Sequence, residues 1–406
     1  MYIWGMINRK IASYIQSQMA EYPSVTLFGP RQCGKTTLVR ALFPNYAYAN
    51  LEDFTTRELA TKDPDEFFTR FPAPVIIDEI HRVPSLLGQV QVRIDRDPGK
   101  GQFLLTGSNQ ISVKASVAQS LAGRTSIIDM LPLSISEIES AGITLDRDDQ
   151  IIAGGMPFLF AESGHAPSDY YRNYVNTYVE RDIAQQDSVR DLSKFFNFLK
   201  LLAGRTGQLM NSAAIGAEVG VSGNTISAWL SLLEASHIVY VLKPWFTSRT
   251  SQVVKSPKVY FCDTGLACYL LGIETPAQLQ RDPMLGKLFE NLVLLEALKS
   301  RLNDGLEPNL HFFRNSNGLE VDLILSRKQG LDLFEVKSGK AFDKDYSKPM
   351  KSFSEKYAKR LSKNPPTIVY SGDGAESFMG TRYENFKSVG KLFCESEEKF
   401  RLKFKQ

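Results

Sequence analysis

The sequence is poor in cysteine and has no long apolar run. Its four cysteines, Cys33, Cys262, Cys268 and Cys394, form no C-x-x-C pair and no zinc spacing. That excludes a disulfide scaffold and a structural zinc domain, and the thiols read as reduced ones. No stretch reaches the roughly 18 apolar residues of a membrane-crossing helix. Met1 to Lys10 contain no uninterrupted apolar segment of the secretory kind. A cytoplasmic protein without a membrane partner is expected. Repeats and low-complexity tracts are also missing, which excludes solenoid and compositionally disordered classes. Charge of one sign is scarce: 48 Lys+Arg against 45 Asp+Glu give a net charge of +3, too little by itself to indicate nucleic acid.

What the chain does have is 406 residues, 43% of them hydrophobic and 23% charged, enough for two to four domains with an ample core. Gly29, Pro30, Arg31, Gln32, Cys33, Gly34, Lys35 and Thr36 make a complete G-x-x-x-x-G-K-T loop, followed by Thr37. The apolar Val25–Phe28 run before it predicts a buried strand, and Thr37–Leu42 after it predicts a helix. A strand–loop–helix setting is what a phosphate loop requires. Backbone N–H groups and the helix N-terminus surround the β-phosphate, Lys35 brings a point charge to the β- and γ-phosphates, and the Thr36 hydroxyl reaches Mg2+. The expected ligands are therefore ATP and Mg2+.

Val75-Ile76-Ile77 predicts a second buried strand, ending in Asp78 and Glu79. Asp78 is the candidate for holding Mg2+, and Glu79 for polarising an attacking water. A third strand, 102–105, leads to Thr106, Gly107, Ser108 and Asn109, where polar side chains can sense the γ-phosphate. Arg124 is either an arginine finger, in cis or from a neighbouring subunit, or an ordinary surface arginine. Acting in trans, it would require a homo-oligomer.

These pieces resemble the AAA+ class of P-loop ATPases. More closely, the chain resembles the bacterial and archaeal ATPases whose C-terminal region is a domain of unknown function, the DUF4143 family. The resemblance rests on blocks in order: the loop at 29–37, Leu105–Ser108, Leu121–Arg124, Tyr178–Ile183, Lys258–Leu266 and Glu320–Asp322. It implies ATP binding and hydrolysis, and a small helical lid after the sheet.

The expected fold class is α/β, with an AAA+-like P-loop sheet, a helical lid, a winged helix-turn-helix and a restriction-endonuclease-like C-terminal domain. The ATPase domain is expected over 1–145, with strands at 25–28, 46–50, 75–78, 102–106 and 126–130 alternating with helices. A lid or linker follows over 146–204. Its aromatic stripe, 169–183, is a packing face or, at Glu180, Arg181 and Asp182, a surface turned to the nucleotide or to a neighbouring subunit. Residues 205–262 read as a winged helix: a helix to Val219, a turn at Gly220-Val221-Ser222, a second helix over 224–234 and wing strands near 237–242 and 258–261. Residues 224–236 contain no Lys or Arg, which weakens a groove-reading role. Lys243, Arg249, Lys255 and Lys258 supply charge to the wing. DNA, duplex or branched, and a purely structural module both remain open.

Over 263–406 the predicted order is helix, three strands, helix, strand, with Glu290 in the first helix, Asp322 on the second strand and Glu335-Val336-Lys337 on the third. This resembles the PD-(D/E)XK nuclease superfamily. Residues two apart leave a strand on one face, so Glu335 and Lys337 can converge with Asp322. Carboxylates so placed suit Mg2+, which would activate water against a phosphodiester. The resemblance adds Glu290 as a further carboxylate. An active nuclease and an inactive scaffold stay equally open. The leading expectation is an ATP-dependent DNA-processing protein. The alternative is a nucleotide switch acting on a protein partner, as in signalling or defence NTPases.

Overall fold

The computed structural model of the chain describes residues 7–108, 116–117, 119–179, 189, 191–246, 254–374 and 376–394. Apolar runs too short for helices, bounded by proline, glycine or charge, become strands buried on both faces. They are β1 (Ser24–Phe28), β2 (Ala47–Asn50), β3 (Val75–Asp78), β4 (Phe103–Gly107) and β5 (Thr125–Asp129). All pair in parallel, in the order β2-β3-β4-β1-β5. The five expected strands are therefore present to within one residue. Helices α1 (Ala12–Glu21), α2 (Lys35–Leu42), α3 (Phe54–Lys62), α4 (Pro64–Arg70) and α5 (Leu86–Arg96) flank this sheet, and α6 (Ile135–Ser140) follows it, its Ile135 in the core of the later helices. The β1–α2–β2 connection passes over β4 and β3, and β4 lies between the strand feeding the phosphate loop and the strand ending in Asp78.

The segment after α6 is helical, as expected: α7 (Arg147–Ala153), α8 (Phe158–Ala161) and α9 (Pro167–Tyr174), continued by a π-turn over Val175–Val179. Helix α10 (Leu192–Ala203) carries Phe195 and Phe198 on its buried face. Between them sits Trp229 of α12 (Gly223–Ala235), 5.3 Å from one ring and 5.6 Å from the other. Helix α11 (Ser212–Val219) precedes α12, with Gly220 in the left-handed region (φ 76°) making the turn and Ser222 capping α12. Strands β6 (Val239–Leu242) and β7 (Lys258–Phe261) form an antiparallel pair behind the two helices. These two helices, the turn between them and the strand pair fall at the residues expected for them.

Helices α13 (Thr264–Leu271), α14 (Pro276–Arg281) and α15 (Leu285–Asn303) lead into a mixed sheet. Its strands are β8 (Leu310–Arg314), β9 (Glu320–Arg327), β10 (Gly330–Lys337), β11 (Thr367–Tyr370), β12 (Glu376–Phe378) and β13 (Thr381–Asn385), in the order β12-β13-β11-β10-β9-β8. Helix α16 (Lys348–Tyr357) joins β10 to β11, and α17 (Val389–Phe393) packs on α15. The order α15-β8-β9-β10-α16-β11 is the expected one; the β12–β13 pair is additional. The division expected at 262/263 separates no core. One apolar cluster runs from Leu131 and Trp229 through Leu292 to Phe393. The chain beyond β6 also docks on the edge strand β8, where Trp245 N donates to Phe312 O at 2.6 Å.

Candidate nucleotide site and C-terminal carboxylate cluster

The strands of the parallel sheet deliver their carboxyl ends to one edge, and there the expected residues converge. β1 runs into Gly29, where a Cβ would lie 2.1 Å from Met130 O, so only glycine lets the loop pass. Gly34, at φ 93°, turns the loop into α2. The Lys35 ammonium is buried and donates to Gly29 O and Pro30 O, both at 2.9 Å, so it sits inside the loop. Thr36 at the first turn of α2 donates its hydroxyl to Asp78 Oδ2 at 2.8 Å. The loop threonine and the β3 aspartate are thus already in contact across the site.

Asp78 is buried and collects two further hydroxyls, from Tyr48 to Oδ2 at 2.8 Å and from Thr106 to Oδ1. Thr106 also accepts the Glu79 N–H at 3.3 Å. Glu79 adopts a left-handed backbone (φ 59°), unusual for a residue with a side chain. That turn aims its carboxylate back at β4: Oε2 accepts from Ser108 N at 3.2 Å and lies 2.9 Å from His81 Nδ1. Burial alone would raise its pKa. The His81 hydrogen bond and the charges of Lys35, His81 and Arg31 outweigh this and hold it low, at about 2. Its contribution to folding is therefore complete above the ordinary value of 4.5 and fades as pH falls towards about 2. The Ser108 hydroxyl is buried and has no partner among the described residues. An orphaned hydroxyl beside Glu79, with Thr36 and Asp78 alongside, fits a polyphosphate and its divalent ion.

A cavity of about 1480 Å³ opens over the loop. Gln32, Cys33, Gly34, Thr36 and Thr37 line one wall, and Phe158 and Tyr170 of the following helices line the other. Tyr170 donates to Gln32 Oε1 at 2.8 Å, joining α9 to the loop. Arg9, without a motif around it, fixes the loop from below. It donates to Cys33 O (2.9 Å), Leu131 O (2.6 Å) and Glu137 Oε1 (3.1 Å), while Glu137 caps α6 through Ser134. Arg31, partly exposed in the loop, lies 3.7 Å from Glu52. Sequence reading missed Arg9, Tyr48 and His81 and took Tyr170 only as part of a packing stripe, because none of them belongs to a motif with a spacing signal.

Arg124 needs correction as a finger in cis. It precedes Thr125, which pairs in register with Ser24, the first residue of β1. It therefore stands at the amino end of the sheet, opposite the phosphate loop. Asp95 holds its guanidinium there at 2.6 and 3.0 Å. What is left is an ordinary surface arginine paired with Asp95, or a role towards a neighbouring subunit. Asn109, Arg249 and the Glu180-Arg181-Asp182 segment lie outside the described residues.

In the C-terminal sheet Asp322, Glu335 and Lys337 do converge. Lys337 Nζ is 2.8 Å from Glu335 Oε2 and 3.5 Å from Asp322 Oδ2, and Val336 N donates to the same Asp322 oxygen at 3.0 Å. Burial and the Asp322 charge push the Glu335 carboxyl well above its ordinary range. Burial works against ionisation of Asp322 too, but the charges of Lys337 and Lys258 win and lower its pKa. Glu335 Oε1 is buried and has no partner among the described residues. Glu290 does not join this pair as a third ligand. Its oxygens are taken by Lys258 (3.0 Å), Lys287 (2.8 Å) and the Tyr260 hydroxyl (2.5 Å). Among the described residues, no three His, Cys, Asp or Glu side chains gather as a metal site. The residues here do not fit the expected Mg2+. Lys258 is corrected as well: only 1% exposed, it offers no charge to an outer face of the wing.

The parallel sheet, the strand order and the loop–Asp78 contact define a P-loop nucleotide-binding domain of the AAA type. Comparison with known proteins agrees. Residues 21–139 match the AAA domain family, 144–277 a domain of unknown function (DUF8612) and 285–387 a domain of unknown function (DUF4143). An uncharacterized protein of Mycobacterium tuberculosis is 30% identical over 335 residues, covering 81% of this chain and 74% of that one; one from Mycobacterium bovis matches equally. An uncharacterized protein of Haemophilus influenzae is 24% identical over 333 residues, 73% of this chain and 79% of that one. The chain belongs to the family of AAA-domain proteins that end in DUF4143. Among solved structures, a Walker-type ATPase of Pyrococcus abyssi is similar at 12% identity and a TM-score of 0.44, over 65% of this chain and 96% of that one. A signal transduction ATPase with numerous domains from Pyrococcus horikoshii is similar at 13% identity and a TM-score of 0.23, over 74% and 47% respectively. Among the described residues no helix is long and apolar enough to cross a membrane.

Proposed function

We propose that the chain is a Mg2+-dependent ATPase whose turnover is coupled to DNA held by the helix-turn-helix and the C-terminal sheet. The observation carrying the ATPase reading is the contact of Thr36 with Asp78, with Glu79, the next residue, turned towards β4 by its left-handed backbone. Gly29 to Thr37 cradle the polyphosphate through backbone N–H groups, and the Lys35 ammonium turns from Gly29 O and Pro30 O to the β- and γ-oxygens. Thr36 and Asp78 would hold Mg2+, which when bound neutralises charge on those phosphates. Glu79 orients the attacking water and draws on its proton. The unpartnered Ser108 hydroxyl faces the γ-phosphate and reports its presence to β4. Tyr170, bonded to Gln32, ties the state of the loop to the helices beyond it.

A second reading is favoured by one observation. The exposed side of α12 offers no Lys or Arg, and Lys258 is buried instead of completing a basic wing. On this reading the nucleotide switches affinity for a protein partner, and the C-terminal domain is a recognition scaffold.

One panel separates them: phosphate release by purified protein with ATP and Mg2+, with and without duplex, single-stranded and branched DNA, products resolved on a gel. DNA stimulation that decays steeply with salt is the expected result, because Lys and Arg contacts release counterions. Turnover indifferent to every DNA would move the argument to the protein-partner reading. No turnover under any condition would remove the ATPase reading.

A further inference from the structure

The C-terminal domain carries acidic residues at the positions of a nuclease centre, yet each meets a cation of the same chain. Lys258, on β7 of the preceding helix-turn-helix module, extends into the domain. Its ammonium lies 3.0 Å from Glu290 Oε1 and 2.6 Å from Glu320 Oε1, beneath the ring of Phe312 at 5.2 Å. Lys287 takes the other oxygen of Glu290 at 2.8 Å, and Arg314 the other oxygen of Glu320 at 3.0 Å. Lys337 bridges Glu335 and Asp322. Four carboxylates, Glu290, Glu320, Asp322 and Glu335, are thus matched by four cations, Lys258, Lys287, Arg314 and Lys337.

We propose that Lys258 is the built-in cation of this cluster. It stands in for a divalent metal and makes the domain a non-cutting scaffold. An ammonium offers three donors and no coordination sites, and it holds carboxylates without activating water. Mg2+ needs about six oxygen ligands in near-octahedral array and surrenders its waters reluctantly. A cluster in which every carboxylate already meets a cation has no surplus negative charge to draw such an ion in. Glu335 Oε1, buried and without a partner among the described residues, is too little by itself to meet that ligand number. Lys258 is itself 1% exposed, so solvent does not compete for it and no side-chain rotation frees Glu290. The arrangement also assigns β7 a second duty. It closes the strand pair with β6 and completes the charge balance of the next domain, which is why the two share a core. None of this depends on ATP chemistry at the other end of the molecule.

The test uses the full chain, free of nucleotide, with Mn2+ as the probe, followed by electron paramagnetic resonance and calorimetry. Glu335→Ala reports the C-terminal site, and Asp78→Ala controls for the metal position beside the phosphate loop. Wild type is expected to bind no Mn2+ in a manner sensitive to Glu335→Ala, and to leave duplex DNA intact with Mn2+ present. Lys258→Met keeps the length of the side chain without its charge. It should tighten Mn2+ binding at least tenfold, and Glu335→Ala added to it should abolish the gain. If the single variant does not fold, Lys258→Gln, whose amide can still donate to Glu290 and Glu320 but carries no charge, replaces it, and the same tenfold gain is expected. Wild-type Mn2+ binding or DNA cleavage lost in Glu335→Ala would overturn the proposal. So would a folded Lys258 variant with no gain.

Discussion

Lys35→Ala is expected to abolish nucleotide binding at ordinary concentrations while leaving the fold intact. The ammonium lies buried within the loop, 2.9 Å from two loop carbonyl oxygens, and reaches the phosphates by a short swing. Each hydrogen bond it makes to a charged oxygen is worth about 1.5–3 kcal/mol. Losing two corresponds to a drop in affinity on the order of 10² to 10⁴. Alanine also leaves Gly29 O and Pro30 O without their donor, but the space vacated by the side chain can admit a water in its place. Far-ultraviolet circular dichroism should therefore match wild type. Titration with a fluorescent ATP analogue should show no saturation, and phosphate release should fall to background. Arginine is not expected to rescue, because its planar fork does not match a point-charge site enclosed by backbone. A Lys35→Ala protein that binds ATP like wild type would remove the phosphate loop from the argument entirely.

The two kinds of site differed in how far the sequence disclosed them, and the difference has a physical origin. The phosphate loop was readable because its chemistry is local. Eight consecutive residues supply the turn, the amides, the ammonium and the hydroxyl, and flanking apolar runs fix the strand and helix. Asp78 and Glu79 were readable because a buried strand that ends in carboxylates is also local. Positions that depend on what folds against them were not. Arg9 and Tyr170 act on the loop from 24 and 138 residues away. Arg124 looked like a finger in one dimension, and only the register of β5 against β1 puts it at the wrong end of the sheet. Lys258 shows the limit most clearly. As a lysine near a predicted wing it reads as surface charge, since an unpaired lysine is almost never buried. Its burial follows from Glu290 and Glu320, which come 32 and 62 residues later and belong to another element of the fold. The Glu335–Lys337 pair was legible from spacing, whereas its neutralisation from the preceding domain was not.

Glu79→Gln is expected to separate binding from turnover. The left-handed backbone at Glu79 and the Ser108 N–H at 3.2 Å hold the carboxylate in place. A glutamine oxygen can still accept that N–H, so the cradle and the contact between Thr36 and Asp78 survive. The amide cannot draw a proton from water, and loss of a positioned base costs about 10²–10⁴ in rate. ATP affinity should stay within a few-fold of wild type while phosphate release drops by that factor, leaving ATP trapped. The held-down pKa sharpens the expectation. A carboxylate near 2 is a weak base in the free protein, kept so first by the His81 hydrogen bond and then by Lys35, His81 and Arg31. When the phosphates bind, they draw on Lys35 and Arg31, and the carboxylate becomes more basic just as the water arrives. His81→Ala removes the largest of the lowering influences, so the acid limb of kcat should move to higher pH than in wild type, with binding little changed. Glu79→Gln should lack that limb altogether in its residual rate. Equal losses of affinity and turnover in Glu79→Gln would instead make the residue a support for the loop and move the search for the base to another side chain of the cavity.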